Sequence, residues 1–390
     1  MKKKSYKYFF QYMGIILFFL LLTVFIINIF TPNRNFSEKE NRVLSSRPEM
    51  NLSQITSGQF GSKYETYVND QFVLRDFWVT LKAGCDQIMG KVEENGVYLG
   101  KDGYLLESFH APTQERLDST LSAMTSFANN HPDLKQYALI VPNAVSILKD
   151  KLPVAAPQDS QNPYLDQVKS TLESNGITYI DVRDTLSKHK DEHVYYRTDH
   201  HWTTQGAYYA YLAAADTLDI DTSSIAYEKV PVSASFQGTL SAKSGFRSNK
   251  KEELDVFLPK GDDAPPHVVN YVDEQKKSAS FYAAEQLKGR DKYAVFFDSN
   301  HAQVKISTPI QENRTLLVLK DSYANCFVPF LAPYYRTIIM VDPRYYYGNL
   351  EELIQVENIQ EVLYLYNANT FFSDSSLELT LSPDDVESPV

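Results

Sequence analysis

The stretch YYRTDHHWTT, residues 195 to 204, sets a carboxylate, two imidazoles and an indole side by side in a chain with eight histidines. Three chemistries fit such a cluster: a metal site, part of a catalytic triad, or buried polar packing. In an extended segment residues i and i+2 share a side, so Asp199 and His201 face one cleft and His200 the opposite surface. A carboxylate beside an imidazole fixes its tautomer and stabilises the imidazolium, which is what a general base needs when it takes a proton from a serine. Zinc requires three converging ligands; adjacent histidines that point apart, with no H-x-x-x-H pair nearby, speak against a metal. The plainer alternative is that Asp199 caps the helix that follows and His201 is satisfied within the core.

A serine is available in LLVLKDSYANCF, residues 316 to 327. An apolar strand ends at Lys320 and Asp321, Ser322 stands at the turn, and a helix beginning after it leaves backbone N–H groups beside the hydroxyl. Ser322 is therefore either a nucleophile or a helix-capping serine. Cys326, one helical turn on, reads as buried packing. Open α/β sheets bind ligands beyond the carboxyl ends of their strands, and Ser322, Arg344 and Asn369 all follow such ends. Arg344 has two uses, holding a ligand carboxylate or phosphate or pairing with a neighbouring aspartate. Tyr345, Tyr346 and Tyr347 form either a platform for sugar rings or core packing. Asn300 and His301, in DSNHAQ, make a second polar pair near the sheet and are candidates for the substrate side.

Together Asp199, His200, His201 and Trp202, the Lys-Asp-Ser step at 320 to 322, and VDPRYY at 341 to 346 resemble the DHHW family. Its relatives are the SGNH-hydrolase-like alginate O-acetylation proteins, and the likeness covers most of the chain after about residue 35. It implies a circularly shifted SGNH arrangement: LLVLKDS is similar to the nucleophile block, and EVLYLYNANTF to the strand ending in an oxyanion asparagine, at Asn369 or alternatively Asn367. The acid-x-His element, Asp199 and His201, comes first instead of last. Lys320 replaces the usual glycine before Asp-Ser, and Gly348 is the candidate for the second-block glycine.

Around these residues the pattern is α/β. A helical face through Leu117, Leu121, Met124 and Phe127 precedes an apolar strand, Tyr137 to Val141; a helix through Leu165, Val168 and Leu172 precedes ITYIDV. Strands at Leu316 to Leu319, Ile338 to Val341 and Val362 to Tyr366, with a helix through Leu350, Leu353 and Ile354, continue the alternation. This predicts a doubly wound, mostly parallel sheet. A helix starting at Thr203 or Thr204 buries Tyr208, Tyr211 and Leu212. GVYLGKDGYLLES reads as a hairpin, and residues 228 to 295 as an inserted β-rich excursion. The expected organisation is a membrane segment over 1–33, a helical stalk over 34–95, which contains the polar run SEKENR, and an SGNH-like domain over 96–390.

Four lysines precede an uncharged run from Tyr8 to Asn33. At about 1.5 Å per residue it suffices for a bilayer core of roughly 30 Å; with no small-x-small cleavage site after it, it reads as a single-pass signal anchor with a cytoplasmic N-terminus and an extracytoplasmic main domain, a cleaved signal peptide being the alternative. Net charge is -11 without a basic block, which excludes nucleic acid as a leading partner. Two cysteines, Cys85 and Cys326, leave pairing open. The function expected is O-acetyl transfer onto a cell-surface polysaccharide through an acyl-serine, without a cofactor; a carbohydrate esterase or a non-catalytic polysaccharide-binding scaffold is the alternative. The resemblance further implies a multi-span membrane-bound O-acyltransferase as acetyl donor.

Overall fold

Uninterrupted apolar runs become the strands at the centre of the main sheet, because a strand covered on both faces needs no polar alternation. The computed structural model describes residues 2–34, 36–37, 42–154, 156–246, 252–261 and 265–382. The chain divides into two units, Met1–Lys91 and Val92–Val390.

In the first unit a helix spans Lys2–Phe30, and its stretch Tyr8–Phe30 is long and apolar enough to cross a membrane. Three shorter helices follow, Leu52–Thr56, Gln59–Gln71 and Arg75–Ile88. Residues 38–41 of SEKENR lie outside the described residues.

The second unit is built on an eight-stranded sheet. Its strands are β1 (Lys135–Val141), β2 (Thr178–Tyr179), β3 (Val268–Tyr271), β4 (Lys276–Ser278), β5 (Gln303–Ser307), β6 (Thr315–Lys320), β7 (Thr337–Val341) and β8 (Glu361–Asn367). Across the sheet they lie in the order β4-β3-β5-β7-β6-β8-β1-β2. The five from β7 to β2 run parallel, whereas β5, β3 and β4 add on antiparallel at one side. Every residue of β6 and β8 is buried.

Helices α1 (Gln114–Asn130), α2 (Asn162–Glu173), α3 (Thr204–Ala214) and α4 (Leu350–Val356) connect or flank these strands. The buried faces of α1 and α2 are those the periodicity marks: Leu117, Leu121, Met124 and Phe127, then Leu165, Val168 and Leu172. In α3 the expectation for Leu212 is corrected. It is 39% exposed, and Ala207, Ala210, Tyr211 and Ala214 form the buried side, small residues allowing close packing.

The reading of residues 228–295 also changes. A long hairpin, Tyr227–Phe236 with Glu252–Pro259, makes its own two-stranded sheet, but β3 and β4 belong to the main one. The segment is thus partly an extension of the core sheet, and β5, which carries no strong sequence signal, joins the two. Residues 247–251 and 262–264 within it lie outside the described residues. The hairpin Val97–Leu99 with Leu105–Glu107 turns through Asp102 and Gly103, both with positive φ.

The consequence for function is directional. Because β6, β7 and β8 are parallel, residues 321–326, 342–346 and 367–369 all emerge at the same end of the sheet.

Candidate active site

Ser322 stands two residues beyond the end of β6, with Asp321 between them. The Asp321 carboxylate accepts the Tyr323 N–H at 2.8 Å and so caps the short 3-10 helix Ser322–Cys326. Its other oxygen accepts the backbone N–H and side-chain amide of Asn367 at 2.9 and 2.6 Å, tying the ends of β6 and β8 together. Burial pushes the Asp321 carboxyl above its ordinary range, against the opposing effect of Arg344 and these N–H groups. Ser322 in this turn is buried, with the residue 9% exposed. Among the described residues its own N–H donates to no protein acceptor.

The cluster 199–202 is brought over it by a folded-back loop. Tyr195 bridges Trp202, Thr203 donates its N–H to Val194 O at 2.9 Å, and Tyr196 donates to His201 O at 3.3 Å. The fully buried Glu252 holds the loop from outside, accepting the Thr198 N–H and hydroxyl at 3.2 and 2.9 Å as well as the Arg197 N–H. Thr203 caps α3, its hydroxyl accepting from Gly206 N at 3.1 Å.

In this loop Asp199 Oδ1 meets His201 Nδ1 at 2.5 Å, and His201 Nε2 meets Ser322 Oγ at 2.7 Å. The second Asp199 oxygen accepts the Thr239 N–H at 2.7 Å and its hydroxyl at 3.1 Å. Gly238 makes that approach feasible: a Cβ there would lie 2.1 Å from Asp199 Cβ. Burial alone would raise the Asp199 carboxyl, but the two histidines and the Thr239 N–H outweigh it and hold the group well below the usual carboxylate range. Burial, with the charges of His200 and Arg344 in the same sense, lowers His201 to about 4 despite its bond to Asp199. At neutral pH the site therefore holds an ionised acid, a neutral imidazole and a hydroxyl in one chain. Such a chain can take the hydroxyl proton as the oxygen attacks an acyl carbon.

One sequence expectation fails here. His200 does not face away: its ring lies 3.8 Å from that of His201, and its Nδ1 meets Thr239 Oγ1 at 2.7 Å. Strict alternation does not apply because the segment is a tight loop and not a strand. Asp199, His200 and His201 consequently bring ligand atoms within 4.8 Å of one another, the geometry of a cation cluster. The donors are already committed, to Thr239, to each other and to Ser322, and zinc would require displacing those bonds.

Trp202 is fully buried; its indole N–H donates to Tyr323 O at 3.0 Å and its ring stacks on those of Tyr323 and Phe327. Tyr323 returns the contact through its hydroxyl, which donates to His200 O at 2.5 Å. Sequence reasoning missed Tyr293. Its ring stacks on His201 at 3.7 Å and 10°, and its hydroxyl donates to Ser322 O at 3.2 Å and contacts Cys326 Sγ at 3.3 Å. It also missed Thr239, Gly238 and Glu252. All four come from the turn-rich stretch after residue 227, where local pattern says nothing about what packs on the loop.

The remaining candidates divide. Both amide hydrogens of Asn367 are used, toward Asp321 and Thr370, and the Asn369 amide points to Glu107 Oε2 and Ser108 O at 3.3 Å each. Neither is directed at Ser322, because the β8 exit is bound up in a buried amide network with Asn143 and Gln161. Lys320 Nζ is buried between Asn325 Oδ1 at 2.9 Å, Asn300 Oδ1 at 3.3 Å and Asp342 Oδ2 at 3.6 Å, and burial lowers its pKa. The β6/β7 register, which pairs Leu319 with Val341, sets Lys320 beside Asp342. Arg344 grips the same aspartate through Nε at 2.8 Å and Nη2 at 2.6 Å, the aspartate pairing the sequence left open.

Asn300 thus reaches the site's edge, whereas His301 is turned to Glu274 at 2.6 Å and Phe297 O at 2.9 Å. Tyr345 is exposed over Arg344, Tyr347 is almost fully exposed, and Tyr346 is half-buried with Gly348 under its ring. Cys326 is buried and Cys85 exposed, both as free thiols, and burial pushes the Cys326 thiol up to about 12.

Fold comparison adds solved relatives. The fold of the chain is similar to that of a DHHW family protein from Eubacterium siraeum, with TM-score 0.63, 21% identity, and coverage of 76% of this chain and 98% of that one. Bacillus cereus PatB1 is similar at TM-score 0.59 and 19% identity, over 70% of this chain and 97% of PatB1. The same protein with a sulfonyl adduct gives TM-score 0.58 and 19% identity, over 73% and 97%. Among curated proteins none matches the chain in sequence. The sequence profile described as DHHW protein matches residues 90–341, a span holding the Asp199-to-Trp202 loop, the Ser322 turn and the end of β7. The chain belongs to the DHHW family.

Proposed function

We propose that this protein is a membrane-anchored acyltransferase that moves acetyl groups onto hydroxyls of an extracytoplasmic polysaccharide through an acyl-serine at Ser322. The observation that carries the proposal is the unbroken chain Asp199–His201–Ser322, with links of 2.5 and 2.7 Å. Read from β6 onward, the parallel strands β6, β7, β8, β1 and β2 lie in the order 2-1-3-4-5, the flavodoxin-like doubly wound order, entered part-way. Ser322 then stands at the switch point between β6 and β8, where such sheets bind ligands. This supports a circularly shifted SGNH-like domain.

In the first half-reaction His201 Nε2 takes the Ser322 proton, Oγ bonds to the acetyl carbon, and the free Ser322 N–H faces the developing oxyanion. The proton passes from His201 to the departing group. A sugar hydroxyl then gives its proton to His201, attacks the acyl-serine, and leaves as the new ester with Ser322 regenerated. Asp199 keeps the imidazole in the tautomer this needs. Water in place of the sugar gives an esterase. The sulfonyl adduct of PatB1 fits a site with a reactive nucleophile in this fold. The resemblance set out from the motifs supports acetyl as the acyl group and a multi-span O-acyltransferase as donor. Tyr8–Phe30 is read as the anchor, with the main domain outside.

A sulfonyl fluoride reagent tests the reading. Mass mapping should find the modification on Ser322, and Ser322→Ala should lose both the label and hydrolysis of a chromogenic acetyl ester without unfolding. Labelling elsewhere, or retention of more than about a tenth of the ester rate, would remove Ser322 as nucleophile.

A further inference from the structure

In the helix Arg75–Ile88, the residues Phe77, Trp78, Leu81, Cys85 and Ile88 recur at three- and four-residue steps and so share one face. All five are exposed, and Leu74 in the preceding turn is exposed as well. The charged residues Arg75, Lys82 and Asp86 fall off this face, Lys82 pairing with Asp86 at 2.9 Å. A continuous apolar stripe with two adjacent aromatics facing water is unfavourable and marks a binding surface.

What covers it follows from where the helix begins. Val73 donates its N–H to Asn28 Oδ1 at 2.8 Å, and Asn28 belongs to the last turn of the apolar helix Tyr8–Phe30. Two further ties lie close by. Arg34 and Gln71 exchange hydrogen bonds at 2.8 and 2.9 Å, and the Tyr67 hydroxyl donates to Asn33 at 3.2 Å. If Tyr8–Phe30 spans a bilayer, its last turn sits at the hydrocarbon boundary, and the start of the amphipathic helix sits there with it.

We propose that the Arg75–Ile88 helix lies in the membrane interface, its Phe77, Trp78, Leu81 and Ile88 face seated in lipid at the exit of the spanning helix. Tryptophan and phenylalanine are the side chains that favour this depth, and an apolar helix face inserts about 5–10 Å into the headgroup and acyl boundary. The inference rests on the anchoring reading of Tyr8–Phe30 and is independent of the acyl-transfer chemistry. It gives the segment a mechanical role: a second attachment beside the spanning helix.

The chain has two tryptophans, and Trp202 is fully buried, so Trp78 can be read in lipid directly. The full chain is reconstituted into phosphatidylcholine vesicles brominated in the upper acyl chain, and Trp78→Phe identifies the Trp78 share of the emission. That share should fall roughly twofold relative to unbrominated vesicles, while aqueous iodide leaves it largely unquenched. Quenching by iodide and not by bromine would place the stripe in water and overturn the proposal. Protection from both reagents would mean a protein surface covers it and would overturn it equally. Flotation of the same vesicles after an alkaline wash separates the two levels. A chain that does not float refutes the anchor and the proposal together; one that floats without Trp78 quenching refutes the proposal alone.

Discussion

Trp202 donates its indole N–H to the backbone carbonyl of Tyr323 at 3.0 Å, and the Tyr323 hydroxyl donates back to His200 O. The residue after His201 and the residue after Ser322 are thereby bonded across 121 positions of sequence. This reciprocal clamp sets the distance between base and nucleophile, since each partner neighbours the group it positions.

Trp202→Phe should therefore act on stability and rate at once. It leaves a buried carbonyl without its donor and trims a packed ring, a cost of about 2–4 kcal/mol. Urea unfolding should show that loss. Ester turnover in the surviving folded protein should fall as the His201 loop loosens; an unchanged rate would show that the clamp does not control the geometry.

Gly238→Ala tests the support behind Asp199. The added methyl meets Asp199 Cβ at 2.1 Å and Oδ2 at 2.3 Å, so the Thr239 N–H bond must lengthen or the loop must move. Overpacking of this kind costs about 1–3 kcal/mol. The variant should melt lower and lose most turnover, and wild-type activity at unchanged melting temperature would contradict the contact.

The pH dependence follows from His201, lowered to about 4 against an ordinary 6.5. Only the neutral imidazole accepts the serine proton, so kcat/KM should be flat from about pH 6 to 8 and fall with unit slope as His201 protonates toward pH 4. The stability contribution has the same sign. Between the two values the unfolded chain binds a proton that the folded one does not, so this contribution rises with pH from about 4 to 6.5 and is lost on acidification. A rate profile with its acid limb centred near pH 7 would show that burial does not govern His201.

The adjacent histidines should separate, though not as opposite faces would have them do. His201→Ala removes the base and should cost about 10²–10⁴-fold in turnover. His200→Ala removes the ring lying tilted against His201 and the bond to Thr239; it should shift the acid limb to higher pH, because the His200 charge helps to lower His201, with a smaller rate loss. Equal losses with identical pH profiles would remove His200 from that supporting position.

The sequence by itself determined the groups and the elements that carry them. A short apolar run ending at Lys-Asp-Ser reads as a buried strand with a hydroxyl just past its end, and an acid two residues before a histidine at a helix entry is a local arrangement. The faces of α1 and α2 and the apolar helix after the first lysines were equally legible, being set by periodicity and length. Tertiary structure decided the rest. Whether His200 turns away or lies against His201 depends on the loop closed by Tyr195, Trp202 and Glu252, which period-two reasoning does not contain. Asn367 and Asn369 were credible donors from their place after β8, yet the Asn367 amide donates to Asp321 and Thr370 and the Asn369 amide to Glu107 and Ser108. Tyr293, Thr239 and Gly238 approach from a turn-rich excursion whose course no local pattern fixes. Their positions arise from packing between segments far apart in the chain, and side-chain chemistry read one residue at a time carries no term for it.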